Sequence, residues 1–275
     1  MDGRSVAAWA AACLFIVLST TNPAYKLSVL GAVLAVLLVS AGITRMRRLL
    51  LGVVAIAGFA TLLNFVSAHL GTTVLFSLPA GLPAVGGPYT LEALVFGASG
   101  GLTIATAVLA ASPFSLLLEP QEVVAALPSA LSRTGTAVAA SMNLVPAISQ
   151  SFVQVSEAQR FRGWKARGPR SWAEVVVPVV LTSVESSLQL AESMEARGFA
   201  SGSRTSAEAS PLGASDWLVI GGAALAAASF ALARLAGWAA DWQPYPTLGM
   251  PAVDPRALLS CLFLLVPVVT WRRRA

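Results

Sequence analysis

The chain has 275 residues, of which 56% are hydrophobic and only 11% are charged, and its mean hydropathy is +0.74. A water-soluble domain carries about 25% charged residues, so the composition excludes an ordinary soluble enzyme and predicts a polytopic membrane protein. The charges are unevenly spread, because residues 119–213 hold eight basic and eight acidic side chains, 16 of the 31 in the chain. We therefore expect a polar, cytoplasmic region that interrupts the membrane part.

Hydropathy predicts an all-α fold with about six transmembrane helices, since roughly 20 apolar residues cross a bilayer. The predicted spans are Val6–Ser19, Tyr25–Ile43, Leu49–Ala68, Leu91–Ala111, Asp216–Leu235 and Ala257–Val269. They divide the chain into N-terminal membrane helices (1–118), a cytoplasmic region of amphipathic helices (119–213) and C-terminal membrane helices (214–275). Basic clusters mark cytoplasmic ends, and six crossings place Arg4, Arg45–Arg48, the central region and Arg272–Arg274 on one side of the bilayer.

The connections between these spans also carry predictions. The segment Gly71–Pro88 is rich in glycine and proline and has no regular period, so we expect a loop outside the membrane. Pro113 and Pro120 should break the fourth helix. Within that helix, the spacing of Gly97 and Gly101 permits close contact with another helix, either inside this bundle or on a membrane partner.

Two segments of the central region, Val145–Gly163 and Pro178–Gly198, have apolar side chains on one helical face and glutamine or glutamate on the other. Each should end in a glycine with left-handed backbone conformation, preceded by Arg162 or Arg197. A guanidinium group at a rigid helix end suits a carboxylate or carbonyl cluster on a partner protein. The alternative is that these arginines only cap helices and bind lipid phosphates.

Between the two segments, Arg160–Arg170 forms a basic elbow with Trp164 and Trp172, which could lie at a lipid headgroup surface. In the second segment, Val175–Leu181 is apolar enough to enter the bilayer. The elbow and the apolar stretch both suggest that the central region lies close to the membrane.

The sequence lacks the residue patterns of metal sites, catalytic triads and phosphate-binding loops. Cys13 and Cys261 lie in apolar runs without metal-ligand spacing, and packing explains them better than a disulfide. His69 is the single histidine, so it cannot build a metal site or a catalytic triad alone. There is no phosphate-binding glycine loop followed by lysine, and no acidic residue in the middle of a span. We predict no catalytic residue, no metal, no cofactor and no nucleic-acid partner.

Three stretches resemble motifs of the transmembrane coupling (T) component of energy-coupling factor (ECF) transporters. The first coupling motif consists of Ala158, Arg160, Phe161, Arg162 and Gly163, and the second of Glu195, Ala196, Arg197 and Gly198. Both are similar to the Ala-Arg-Gly motifs of that family. Asn22-Pro23-Ala24-Tyr25-Lys26-Leu27 is similar to its Asp-Pro-x-x-Lys-Leu turn, and the order of membrane and polar regions matches over nearly the whole chain.

The resemblance has two departures. Phe161 stands where the family usually has alanine, and a literal Ala166-Arg167-Gly168 follows as an alternative register for the first motif. We prefer Arg162, because Ala-Gln-Arg precedes it in the family manner and it ends the amphipathic helix. Asn22 replaces the usual aspartate, which leaves the role of that turn open.

The resemblance implies a coupling function rather than an enzyme activity. In this family the two arginines dock into grooves on two ABC ATPase subunits, which hydrolyse ATP, and the membrane helices hold a separate substrate-binding S component. ATP-driven closure then tips the S component and carries a vitamin or a transition-metal ion inward. The expected location is the inner membrane of a bacterial cell, where the chain is multi-pass in the lipid bilayer.

Two other functions stay open. An integral membrane enzyme acting on a lipid phosphate could hold the phosphate with Arg160, Arg162, Lys165 and Arg167. Its catalysis would also require a metal-binding motif or a general base close to these residues. The permease of an ordinary ABC importer would carry a Glu-Ala-Ala signature ending in glycine, which is not convincing in this sequence.

Overall fold

The computed structural model of the chain describes residues 2–40, 43–68, 70–79, 86–118, 132–165, 168–198 and 212–271. Helices dominate these ranges. In chain order they are α1 (Gly3–Ser19), α2 (Pro23–Ser40), α3 (Ile43–Ser67), α4 (Leu91–Ala111), α5 (Pro113–Leu116), α6 (Ser132–Phe161), α7 (Pro169–Ala196), α8 (Ala214–Leu235), α9 (Pro255–Leu262) and α10 (Val266–Thr270). Two short strands, β1 (Val74–Leu78) and β2 (Gly87–Thr90), precede α4.

The predicted all-α polytopic membrane fold is confirmed. Among the described residues, five helices are long and apolar enough to cross a membrane. They are Pro23–Ser40, Met46–Ser67, Leu91–Leu116, Ser171–Ala196 and Ala214–Leu235. Four of them correspond to predicted spans, whereas the first and last predicted spans form the shorter apolar helices Gly3–Ser19 and Pro255–Thr270. The remaining long helix, Ser171–Ala196, contains most of the second amphipathic segment, Pro178–Gly198, which the sequence predicts to be cytoplasmic.

The chain divides into two compact units. The membrane unit comprises residues 1–126 and 212–275, so the N-terminal and C-terminal helices pack together. The coupling unit comprises residues 127–211 and contains α6 and α7. The helices α8 to α10 pack with the helices that begin the chain. The predicted N-terminal and C-terminal membrane parts therefore lie in one unit.

The core of the membrane unit is formed by apolar faces of α1, α2 and α8 and by the C-terminal helices. Its largest fully buried side chains include Trp9, Tyr25, Phe230 and Leu264. The Trp9 indole donates a hydrogen bond to the Leu264 carbonyl oxygen (2.9 Å), which satisfies the polar atom of a buried ring. Cys13 and Cys261 are buried free thiols, in agreement with their interpretation as packing residues.

Helices α3 and α4 pack closely through the two glycines that the sequence singled out. A Cβ at Gly97 would lie 2.9 Å from the Thr61 carbonyl oxygen, and one at Gly101 would lie 2.7 Å from the Ala57 carbonyl oxygen. The Thr61 hydroxyl donates across the interface to the Gly97 carbonyl oxygen (3.3 Å). The predicted close contact is confirmed, and its partner is α3 of the same chain.

The expectation of an irregular loop over Gly71–Pro88 was wrong. β1 and β2 pair in an antiparallel hairpin, with Phe76 opposite Tyr89 and their rings stacked at 4.6 Å between centroids. The run Val74–Leu78 is β-branched and aromatic enough to form a strand, but it is short and lies among glycines and prolines. Their presence therefore did not exclude a strand on either side.

Helix boundaries differ from the sequence-based ones at the prolines. Pro146 lies inside α6 and Pro178 inside α7, so both helices begin earlier than the segments starting at Val145 and Pro178. A proline removes one N–H donor, and a helix of about 30 residues retains its other bonds. Pro113 does break the fourth helix as predicted, since α4 stops at Ala111 and α5 begins at Pro113, although the apolar stretch long enough to cross a membrane continues to Leu116.

Two further boundaries need correction. The basic cluster Arg45–Arg48 does not end the second membrane helix, because α2 stops at Ser40 and the cluster lies in the first turns of α3. The last apolar run is not one continuous helix, since a 3₁₀ turn at Phe263–Leu265 separates α9 from α10. Other expectations fall outside the described residues, namely those for His69, Pro120, Ala166, Arg167 and Arg272–Arg274.

Candidate functional site

The end of α6 forms the first candidate coupling site. Its helix terminates in a glycine cap in which Gly163 adopts φ +89°. The Gly163 N–H donates to the Arg160 carbonyl oxygen and the Trp164 N–H to that of Gln159, both at 2.9 Å. These paired bonds form a Schellman motif. Arg162 is therefore the C-cap residue, held directly before the left-handed glycine.

The end of α7 repeats this arrangement. Gly198 adopts φ +72°, and its N–H donates to the Glu195 carbonyl oxygen (2.9 Å). Arg197 is the C-cap residue, with its N–H bonded to the Ser193 and Glu195 carbonyl oxygens. The predicted left-handed caps are confirmed at both glycines. Arg162 and Arg197 consequently occupy equivalent positions at the ends of two helices.

Both arginine side chains are exposed at these ends. Within the part of the chain that the structure describes, neither guanidinium group forms a hydrogen bond or an ion pair. Their neighbours in the two motifs, including Arg160, Ala158, Ala196 and Glu195, are exposed as well, and the Phe161 ring is 93% exposed. A cation beside the negative end of a helix dipole is favourable, but the free donors of each guanidinium need a partner elsewhere.

The alternative register occupies a different structural position. Gly168 precedes α7 as its N-cap residue with φ +88°, so it begins a helix and does not end one. Ala166 and Arg167 lie outside the described residues. Of the two registers, therefore, it is Gly163 whose C-terminal cap matches that of Gly198.

The elbow between the two helices is closed by aromatic side chains. Trp164 packs edge-on against Trp172 (5.6 Å between centroids), and Trp172 stacks on Phe152 (5.9 Å). The Trp164 indole also donates to the Ser171 carbonyl oxygen (2.7 Å). These aromatic contacts join the end of α6 to the start of α7, and the position of the elbow at a lipid headgroup surface stays a prediction.

We predict that Trp164→Ala opens the elbow. The aromatic pair contributes about 0.5–1.5 kcal/mol and the hydrogen bond about 1 kcal/mol, so the open population should rise roughly tenfold or more. Limited trypsin digestion in nanodiscs should then cleave the 160–165 segment correspondingly faster. Trp217→Ala is the control, because Trp217 is exposed on α8 in the membrane unit; equal cleavage of the two variants would contradict the closed elbow.

The apolar face of α7 is exposed along most of its length. It carries, among others, Val177, Val180, Leu181, Val184 and Leu188, each more than half exposed. Val175 and Val179 are the buried exceptions. The spacing of three and four residues places the exposed side chains on one stripe, on the side of the helix opposite the buried Val175 and Val179. This stripe is available to lipid or to another protein.

The sequence of this chain is similar to that of a known protein family. A family model described as CbiQ, cobalt transport protein, matches residues 1–207. The chain belongs to this family. Its members are the T components of ECF transporters, which are membrane transport proteins that work with ATPase components and are not known as enzymes. The match includes both helix ends, and a search of curated proteins found no match.

Family membership favours a transport function over the lipid-phosphate enzyme that the sequence left open. No group of three potential metal-ligating side chains occurs among the residues that the structure describes.

Sequence reasoning overlooked two buried charges in the membrane unit. Lys26 is only 6% exposed, and its ammonium group contacts Ser99 on α4. Glu92 is fully buried at the start of α4 and accepts hydrogen bonds from the backbone and side chain of Thr72 and from the Thr73 N–H. Each lies within two to four residues of the start of its helix. Charged side chains there normally face the membrane–water interface, so nothing in the sequence indicated that these two are buried.

Proposed function

We propose that the chain is the coupling component of an ECF importer in the inner membrane of a bacterium. Two ABC ATPase subunits bind the ends of α6 and α7, and a membrane S component binds the substrate. The family description favours cobalt or a related transition-metal ion as cargo, with a vitamin as the alternative. The chain itself transmits motion and performs no chemistry.

The observation that carries this proposal is the equivalence of the two helix ends. Arg162 and Arg197 are both C-cap residues before a left-handed glycine, both exposed, and both without a partner among the described residues. A pair of like ATPases presents two like surfaces, and two like arginine-bearing ends fit that symmetry. Capping alone would not require an arginine whose guanidinium group is free.

The coupling unit has the stiffness that such a role needs. α6 and α7 contain 30 and 28 residues, which corresponds to lengths of about 45 and 42 Å. The aromatic elbow of Phe152, Trp164 and Trp172 fixes the end of one helix against the start of the other. A displacement imposed at Arg162 is therefore passed to α7 rather than absorbed by a flexible connection.

Arginine chemistry suits this docking. The planar guanidinium group offers five N–H donors and can bind a carboxylate through two parallel hydrogen bonds. Each C-cap fixes the backbone from which the side chain extends, so less conformational entropy is lost on binding than from a mobile loop. We expect acidic or carbonyl-rich grooves on the ATPase subunits to receive the two side chains.

Co-purification tests the proposal directly. The chain would be co-expressed with its ABC ATPase pair, extracted in detergent and isolated by a tag on the chain, as wild type and as the Arg162→Glu, Arg197→Glu double variant. We expect wild type to retain the ATPases and the double variant to lose them.

The control is Lys165→Glu, which reverses an exposed charge of the same unit without touching either cap. It should retain the ATPases. Absence of ATPase from the wild-type preparation, or equal retention by the double variant, would contradict docking through these ends.

A further inference from the structure

A cavity of about 320 Å³ lies inside the membrane unit. It is bounded by the turn between α1 and α2, the middle of α4 and the loop that follows α8. Its polar lining includes Thr21, Lys26 and Gln243, and its aromatic wall is formed by Phe96, Trp242 and Tyr245. On the predicted topology, this end of the membrane unit faces away from the cytoplasm.

The Asn22–Lys26 turn builds one side of this cavity. Asn22 is buried, its carboxamide oxygen accepts from the Ala24 N–H (3.0 Å), and its Nδ2 donates to the Ala252 carbonyl oxygen (2.7 Å). An aspartate could not donate the second bond. The Tyr25 hydroxyl accepts from the Asp254 N–H (3.0 Å). The turn is thereby tied to the loop after α8, and Lys26 is fixed beside the cavity.

The Lys26 ammonium group is incompletely paired. Its Nζ lies 3.1 Å from the Ser99 hydroxyl and 3.4 Å from the Ser99 carbonyl oxygen, while an ammonium group has three N–H donors. No carboxylate of the described residues lies within ion-pair distance of it. A buried cation without a counter-ion is costly, so a group that supplies negative charge here would be stabilised.

Three carboxylates lie at this end of the membrane unit among the described residues, and each has partners of its own. Glu92 is held by Thr72 and Thr73, as described above. Asp241 accepts two hydrogen bonds from the Arg234 guanidinium group (2.6 and 3.1 Å), which holds the pKa of that carboxyl below its usual range. Asp254 caps α9 by accepting from the Arg256 N–H (2.8 Å). None of the three is paired with Lys26.

The rest of the lining also suits an anion with an apolar substituent. The Tyr245 phenol is protonated at neutral pH and can donate; burial, with a smaller contribution from Glu92, raises its pKa further. Gln243 adds an amide, whereas the Thr21 hydroxyl already donates to Asp241 (3.3 Å) and accepts from the Trp242 N–H (2.9 Å). The rings of Phe96 and Trp242 offer apolar surface to a hydrocarbon group. A metal cation would be repelled by Lys26, so the cavity is not suited to a cobalt ion.

We propose that this cavity binds an anionic group, a phosphate or a carboxylate, at Lys26, with any apolar substituent against the aromatic wall. Such a group is found on an anionic phospholipid of the outer leaflet and on soluble anions. Bound there, it completes the pairing of Lys26 and stabilises the junction of the α1–α2 turn, α4 and the loop after α8.

The test uses the full chain in nanodiscs and has two arms. One arm compares discs of phosphatidylcholine with discs that contain increasing phosphatidylglycerol, and the other adds inorganic phosphate to discs of phosphatidylcholine alone. The thermal unfolding midpoint is measured at each concentration. Lys26→Met should weaken the stabilising response at least about tenfold in apparent affinity, because it removes the charged donor.

A second variant keeps Lys26 and fills the cavity. Gly100 lines it, and a Cβ at this position would meet no atom within 4 Å, so Gly100→Leu should fold and yet exclude the anion. Matched controls are Arg256→Met, which removes another cation at the same end, and Gly58→Leu, which adds a leucine to an open position on α3. Both controls should respond as wild type does.

The outcomes separate the sources of the anion. Loss of the phosphatidylglycerol response in Lys26→Met and Gly100→Leu, with both controls normal, supports a lipid headgroup. The same pattern with inorganic phosphate supports a soluble anion. If neither probe raises the midpoint of wild type, or if both variants respond like their controls in both arms, the cavity does not bind an anion and the proposal is overturned.

Discussion

Arg197→Glu is expected to reduce uptake by the complete transporter to background while the chain still inserts in the membrane. The Arg197 side chain is exposed, and its guanidinium group forms no hydrogen bond or ion pair within the described part of the chain, so the free energy of unfolding should change by no more than about 0.5 kcal/mol. In the ATPase groove, reversing its charge leaves buried partners unpaired and costs about 2–5 kcal/mol. That weakens docking by at least about 30-fold.

The measurement is cobalt uptake by cells that express the complete transporter, with the amount of chain in the membrane determined in parallel. Glu185→Arg is the matched control, since it also reverses an exposed charge on α7 but lies three turns before the helix end. It should transport normally. Unchanged uptake by Arg197→Glu at wild-type membrane levels would remove the basis for the docking proposal.

Arg162→Glu should be as harmful as Arg197→Glu, because the two residues occupy the same C-cap position. Arg167→Glu should be milder, since Gly168 begins a helix instead of ending one. The same uptake assay compares the two variants. A milder effect of Arg162→Glu would show that Ala166-Arg167-Gly168 is the coupling motif.

The features that the sequence predicted well are those determined by a few neighbouring residues. A run of apolar side chains needs a membrane or a buried environment wherever it lies, so most spans were found within a few residues. A glycine that directly follows an amphipathic helix commonly adopts the left-handed conformation that ends the helix, and Gly163 and Gly198 both adopt it. The equivalence of Arg162 and Arg197 follows from those local rules.

Features that depend on distant residues were missed. Lys26 was assigned to a turn, but its burial depends on Ser99, which is 73 positions away. The pairing of Phe76 with Tyr89 spans a segment whose glycines and prolines suggested irregular structure. The first amphipathic segment was predicted to begin at Val145, next to Pro146, although α6 continues on both sides of that proline. Tertiary contacts determine the burial of Lys26 and the pairing of Phe76 with Tyr89, and helix cooperativity explains why α6 continues through Pro146.

The contact between α3 and α4 gives the largest expected effect on stability. In a membrane, helices associate through close packing and hydrogen bonds rather than through a hydrophobic driving force. A Cβ at Gly101 would lie 2.7 Å from the Ala57 carbonyl oxygen and 2.8 Å from the Thr61 hydroxyl oxygen. Gly101→Leu must therefore separate the two helices, and we expect a loss of about 3 kcal/mol or more in the free energy of unfolding.

The thermal unfolding midpoint and the yield of monodisperse protein in detergent measure this loss. Gly58→Leu is the matched control, because it adds the same side chain to α3, at a position where a Cβ meets no atom within 4 Å. It should unfold near the wild-type midpoint, since leucine is also a better helix former than glycine. Equal midpoints for the two variants would mean that α3 and α4 can move apart freely, and the packing role of Gly101 would then be wrong.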